Sequence, residues 1–198
     1  MADYTKDVQE LYVAYFGRPA DPDGLDFWTT NLDADPNLFP QAVTAFADSD
    51  EYSAMYANMD TREVVMEVYD NLFSRVGDEA GVNFWVNALN TGAMTIDDMV
   101  IKMIDGAQGR DEDVYNAKVL VAAAFTARVD TPEEKAAYSG DAANEIAHAY
   151  IAGVNDLTTA ATSLLPANID ATIERIMSAG VTSLDEIQVV GVAEPMFA

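Results

Sequence analysis

The chain has 198 residues, 34 of them acidic and 10 basic, for a formal charge of −24, and half of all residues are apolar. That apolar share can build a core, so wholesale disorder is excluded despite the charge, and the length suits one domain or two small packed halves. A surface this acidic excludes binding by phosphate neutralisation, whether on nucleic acid or, without divalent cations between, on an anionic membrane.

Asp outnumbers Glu by 22 to 12, and lysine is confined to Lys6, Lys102, Lys118 and Lys135. Excess charge of one sign strains a compact state by self-repulsion. High salt, bound Ca²⁺ with its preference for carboxylate oxygen, or a cationic partner would each relieve it. With no cysteine, disulfides, thiolate metal sites and cysteine nucleophiles are excluded together. Residues 1–7 lack the basic and apolar regions of a secretory signal peptide. No apolar run reaches the ~18 residues that a membrane-spanning helix needs.

The first expected helix carries Val8, Leu11, Tyr12, Tyr15 and Phe16 at helical spacing. Gly17-Arg18-Pro19 ends it, because proline cannot continue a helix. Asp21 is placed to cap a second helix with Pro22 at its first position. That helix has Leu25, Trp28 and Leu32 on one stripe and Phe27 beside it. A helical segment at 35–47 and a short one at 49–57 follow. Asp60-Thr61-Arg62-Glu63 then opens a helix with Val64, Val65, Val68, Leu72 and Phe73 as its apolar face.

From that helix the chain repeats itself at an offset of 57 residues. Residues 11–32 and 68–89 match at Tyr12/Tyr69, Phe16/Phe73, Arg18/Arg75, Asp21/Asp78, Gly24/Gly81, Phe27/Phe84, Trp28/Trp85 and Leu32/Leu89. Such self-similarity marks supersecondary units that bury faces on one another. Asp78 and Glu79 repeat the acidic helix start. Gly24 and Gly81 fall in the first turn of the second helix of each unit, where glycine is costly by propensity, so a close helix approach is expected there.

Thr95-Ile96-Asp97-Asp98 has the form of a capping box with Asp in place of Glu and starts the next helix. A long helix follows at 111–128, and Thr131-Pro132-Glu133-Glu134 is a full capping box. Further helices are expected at 145–153, 157–165, 169–179 and 184–189. Phe125, Arg128 and Tyr138 have the pattern of a decayed third copy that has lost the glycine. The expected fold is all-α, a compact array of short helices with two helix–turn–helix repeats and a decayed third. Residues 1–130 form the repeat region, with copies at about 8–47 and 65–105, and 131–198 form an Ala/Thr-rich helical part packed on it.

Candidate chemistry is sparse. His148 is the lone histidine, and without cysteine it cannot complete a usual zinc set; no nucleophile motif accompanies it. Asp21-Pro22-Asp23-Gly24 fails as an EF-hand loop, because alignment on Gly24 puts Pro19 first and Thr30 last. The acidic clusters Asp33/Asp35, Asp48/Asp50/Glu51, Asp97/Asp98 and Asp111/Glu112/Asp113 could each offer oxygen ligands to Ca²⁺. The competing reading is a solvated helix start, since each falls at a predicted helix N-terminus. A glycosidase pair needs a defined separation and one raised pKa, which no pattern here supplies, so no enzyme is expected. Trp28 and Trp85 could stack on sugars, although their recurrence on the same helix face favours core packing. Arg18 and Arg75 read as structural partners of a carboxylate or of helix-end carbonyls.

The spacing Gly17-Arg18, Asp21, Gly24-Leu25 and Trp28, echoed by Arg75, Asp78, Gly81 and Trp85, resembles the repeat of the DUF4214 family, well over residues 8–105 and weakly over 115–140. In that family the repeat often occurs in bacterial proteins exported by type I secretion, among them S-layer and haemolysin-type calcium-binding proteins. The resemblance implies an extracellular, cell-surface location reached without an N-terminal signal peptide. It also implies attachment to outer-membrane lipopolysaccharide with help from Ca²⁺, and self-association in a lattice through a further C-terminal region. The Gly-Gly-x-Gly-x-Asp calcium repeat of such proteins is absent, so the chain reads as the N-terminal part of a longer protein. The expected function is therefore a non-catalytic anchoring module. The alternatives are a lattice-forming module without glycan specificity, or a halophilic helical protein.

Overall fold

Apolar residues at helical spacing, with strong breakers between them, give twelve α-helices in the computed structural model, which describes residues 4–188. The first unit comprises α1 (Thr5–Phe16), α2 (Pro22–Ala34), a 3-10 turn (Pro36–Leu38), α3 (Phe39–Ala47) and α4 (Asp50–Tyr56). The second comprises α5 (Thr61–Phe73), α6 (Glu79–Asn90), α7 (Ile96–Asp105) and α8 (Arg110–Arg128). Then come α9 (Pro132–Ala137), α10 (Asp141–Ala152), α11 (Leu157–Ser163) and α12 (Pro166–Gln188). No strand occurs among the described residues, and the fold is all-α.

The sequence signals act where they stand. Asp21 and Asp78 each accept the backbone N–H three residues on, from Gly24 and Gly81. Asp60 with Glu63 and Thr131 with Glu134 make reciprocal capping boxes. At α7, Thr95 accepts from the Asp98 N–H at 3.4 Å without a returned bond, because Asp is one methylene shorter than the Glu of a capping box. α1 ends on Gly17 at φ 61°, and α5 ends at the matched position on Ser74 at φ 48°. Only glycine fits the first of these. A Cβ on Gly17 would stand 2.7 Å from both Asn71 Oδ1 and His148 Cδ2. Ser74 has room, and its hydroxyl donates to the Val154 carbonyl at 2.9 Å.

Two differences from the expected helices stand out, beside shifts of two or three residues at the end of α11 and the start of α12. α10 starts at Asp141 rather than 145, because Gly140 at φ 79° turns the chain early and Ala143 is buried against the core. The helices expected at 169–179 and 184–189 form the single α12, which runs through Gly180; a glycine costs a helix about 1 kcal/mol but does not end it. Val189 lies outside the described residues.

Each unit closes on an aromatic knot. Phe46 of α3 packs on Tyr12 and Phe16 of α1, with ring centroids 4.9 and 5.2 Å apart. At the matched place in the second unit, Met103 of α7 lines a hollow together with Tyr69 and Phe73. A large apolar cluster joins α1–α8 with parts of α10 and α11. A smaller one gathers Phe125, Val129, Tyr138, Ile169, Ile173 and Ile176. α8 runs through both. A buried polar network ties the parts together: Gln9 donates to Thr126, Thr126 donates to the Ala20 carbonyl, and the Ala20 N–H donates to Gln9. The Tyr138 hydroxyl donates to the Pro19 carbonyl at 2.6 Å, so the third motif docks on the turn of the first.

Candidate functional site

The matched residues do the same work twice. The Tyr12 hydroxyl lies where a Cβ of Gly24 would be, and the Tyr69 hydroxyl would be 2.7 Å from a Cβ of Gly81. The glycines therefore admit the close approach of the two helices. Trp85 Nε1–H donates to the Tyr69 hydroxyl at 3.2 Å. Trp28 and Trp85 are half-buried and pack on the core, as their shared face implied.

Arg18 and Arg75 make the same clamp. Arg18 donates through Nε and Nη2 to both oxygens of Glu51, at 2.7 and 2.8 Å, and through Nη1 to the Pro19 carbonyl. Arg75 donates likewise to Asp111, at 2.8 and 2.5 Å, and to the Val76 carbonyl. Each guanidinium lies over a tyrosine, Tyr12 at 5.1 Å and Tyr69 at 5.2 Å. A flat fork matching a carboxylate is why arginine and not lysine serves here. Arg128 repeats the fork on Asp170 at 2.6 and 2.8 Å, so the third motif keeps the device. Burial opposes the Arg18 charge, and the bonds to Glu51 outweigh that and hold it protonated. The Arg75 bond holds the Asp111 carboxyl below its usual range.

Beside the first clamp opens a cleft of about 340 Å³. It is lined by Asp21 and Asp23 at the start of α2, by Lys135 of α9, Ser139 just after it and Asn144 of α10, and by Arg18. A smaller hollow of about 170 Å³ lies at the second clamp, against Trp85, Lys102 and Met103. Lys135, Ser139 and Asn144 carry no sequence signal for this role. They come to the cleft where Tyr138 docks on Pro19 and Asn144 Nδ2–H donates to Glu51 at 3.4 Å.

The acidic candidates are dispersed. Asp35 caps the 3-10 turn, accepting from the Asn37 N–H at 3.0 Å. Asp50, Glu51, Asp97, Asp98, Asp111 and Asp113 lie in first helical turns. Asp33 instead lies in the last turn of α2, and Asp48 caps the C-terminus of α3. The helices are so closely spaced that one cluster serves an ending and a starting helix at once. Burial pushes the Asp97 carboxyl up, but hydrogen bonds from Thr95 and Thr44 outweigh it and hold it below its usual range. Glu51 and Asp111 are occupied by arginine. Among the described residues, no three His, Asp or Glu side chains converge where they could hold a metal ion. His148 is half-buried against Gly17 and Asn71, and burial lowers its pKa. No described helix is long and apolar enough to cross a membrane.

A family model described as Domain of unknown function (DUF4214) matches residues 3–56 and again 43–108. The first match takes in Arg18 and its partner Glu51, the second takes in Arg75 but ends before Asp111, and the two overlap across α4. No curated protein and no solved structure matches the chain.

Proposed function

The chain belongs to the DUF4214 family, and from that premise we propose that it is a non-catalytic anchoring module of an exported cell-surface protein, holding the glycan of lipopolysaccharide with the help of Ca²⁺. The observation that carries the reading is the cleft at Arg18. Its volume is in the range of ligand sites, but its walls are carboxylate, ammonium, hydroxyl and amide. Such a lining suits a hydroxyl-rich ligand better than an apolar one. With no converging carboxylates, Ca²⁺ would act by bridging exposed surface acids to anionic groups of the glycan.

Retention of the full chain on immobilised lipopolysaccharide, with Ca²⁺ and with a chelator, tests this. We expect retention in Ca²⁺, weakened by chelation and weakened about tenfold by Lys135→Ala with Asn144→Ala, as the loss of two ligand hydrogen bonds implies. No retention in either condition sinks the reading. Self-association by sedimentation without retention would favour the lattice-forming module instead.

A further inference from the structure

Seven of the eight pairs shared by the two units have a visible structural task. Tyr12/Tyr69 cover Gly24/Gly81, Arg18/Arg75 clamp a carboxylate, and Asp21/Asp78 cap a helix. Phe16/Phe73, Trp28/Trp85 and Leu32/Leu89 pack in or on the core. The eighth, Phe27/Phe84, does not fit this pattern. Phe27 is 58% exposed and Phe84 is 59% exposed, and each ring makes an edge-to-face contact with the adjacent tryptophan, at 5.1 and 4.8 Å. The other exposed positions of α2 all differ at their counterparts in the second unit: Asp23/Ala80, Asp26/Asn83, Thr30/Asn87, Asp33/Asn90 and Ala34/Thr91. The two copies have diverged everywhere on this surface except at the one residue that water disfavours.

We propose that Phe27 and Phe84 are two equivalent stacking platforms, each for one neutral pyranose ring of the same polysaccharide chain. The inference rests on the glycan-binding reading above and names where the sugar is held. The occupant follows from what is and is not shared. A protein partner needs about 800 Å² and some 20–30 residues on each side, whereas a single ring is common to the two faces. A cationic ligand would need acid beside each ring, and Asp23 and Asp26 are replaced by Ala80 and Asn83. An anionic ring would find no basic residue on either helix to pair with. What remains is a ring-sized apolar face without charge. The C–H face of a pyranose is that, and it meets the electron-rich face of a phenyl ring favourably. Polar neighbours Thr30 and Asn87, one turn on, can reach its hydroxyls. Asp23, which lines the cleft, lies one turn before Phe27 on the same helix face, which puts the first platform next to a cleft residue. Two platforms on one chain suit a repeating polymer, because the second contact is made at high effective concentration.

The test uses the full chain and the delipidated polysaccharide released from the same lipopolysaccharide, with affinity read by calorimetry. Phe27→Ala and Phe84→Ala should each weaken binding about tenfold and the double variant about a hundredfold, while Phe27→Trp retains it. Thermal midpoints should stay unchanged, since the rings are exposed. Wild-type affinity in the double variant overturns the platforms and leaves the anchoring reading standing. Failure of the wild type to bind overturns both. A wild-type dimer that the double variant abolishes, with sugar affinity intact, assigns the rings to a protein interface and overturns the proposal.

Discussion

At the scale of single residues, two glycines resolve a conflict between propensity and packing. Helix propensity alone says that Gly24→Ala should stabilise by about 1 kcal/mol. The Tyr12 hydroxyl occupies the place of the new methyl group, and Tyr12 is pinned by Phe16, Phe46 and Arg18. Overpacking therefore wins, and Gly24→Ala is expected to cost about 2 kcal/mol in urea denaturation. Adding Tyr12→Phe should recover most of that loss. Gly81→Ala has a wider gap to Tyr69 and should cost less. Additive effects of Gly24→Ala and Tyr12→Phe would show that the hydroxyl is not the obstacle. The glycine and tyrosine repeat is plain in the sequence, and so is the need for close approach, but the partner atom is not.

At the scale of elements, the arginine clamps join the first turn of a unit to a helix that starts more than thirty residues later. Their worth should follow burial. Arg18 is 5% exposed, so Arg18→Gln leaves Glu51 uncompensated and should cost about 3 kcal/mol. Arg75, a third exposed at its side chain, should cost about 1 kcal/mol. Arg128 lies in the open and should change nothing that denaturation resolves. Equal losses at the three sites would mean that the clamp acts by some means other than burial. Arginine at 18 and 75 could be read as pairing with a carboxylate, but which carboxylate could not. Glu51 and Asp111 stand at unequal distances along the chain, and nothing local distinguishes them from 32 other acids.

At the scale of the whole molecule, charge and burial set the response to solution conditions. Lys118 is 1% exposed and donates to the Asp70 and Asn71 carbonyls at 3.0 and 2.8 Å. Burial lowers its pKa from 10.5 to about 8. Between those values the unfolded chain holds a proton that the native chain lacks, so stability should rise with pH from about 8. Above about 10 the sign reverses. There the buried tyrosines, whose pKa values burial raises, lose their protons first in the unfolded chain. Burial lowers His148 from 6.5, so stability should also fall as pH drops through that value. Thermal midpoints across pH, with Lys118→Met flattening the rise above 8, test the assignment. Self-repulsion also predicts a midpoint that climbs with NaCl. A further rise in CaCl₂ at matched ionic strength would mark site binding by Ca²⁺, and equal midpoints would leave only screening.

The sequence by itself determined the helices, their caps and the repeat, because these depend on neighbours within a few residues: Asp21 and Asp78 cap, Thr131 closes a box with Glu134, and Gly17 ends α1. It also determined that the fold is all-α and that the family is DUF4214. Only the tertiary structure decided that Phe27 and Phe84 face water, that Trp28 and Trp85 are half-buried, and that Arg18, Asp23, Lys135 and Asn144 meet in one cleft. Burial is a property of what other segments cover, and the cleft joins residues more than a hundred positions apart through the docking of Tyr138 on Pro19. No local spacing encodes that contact.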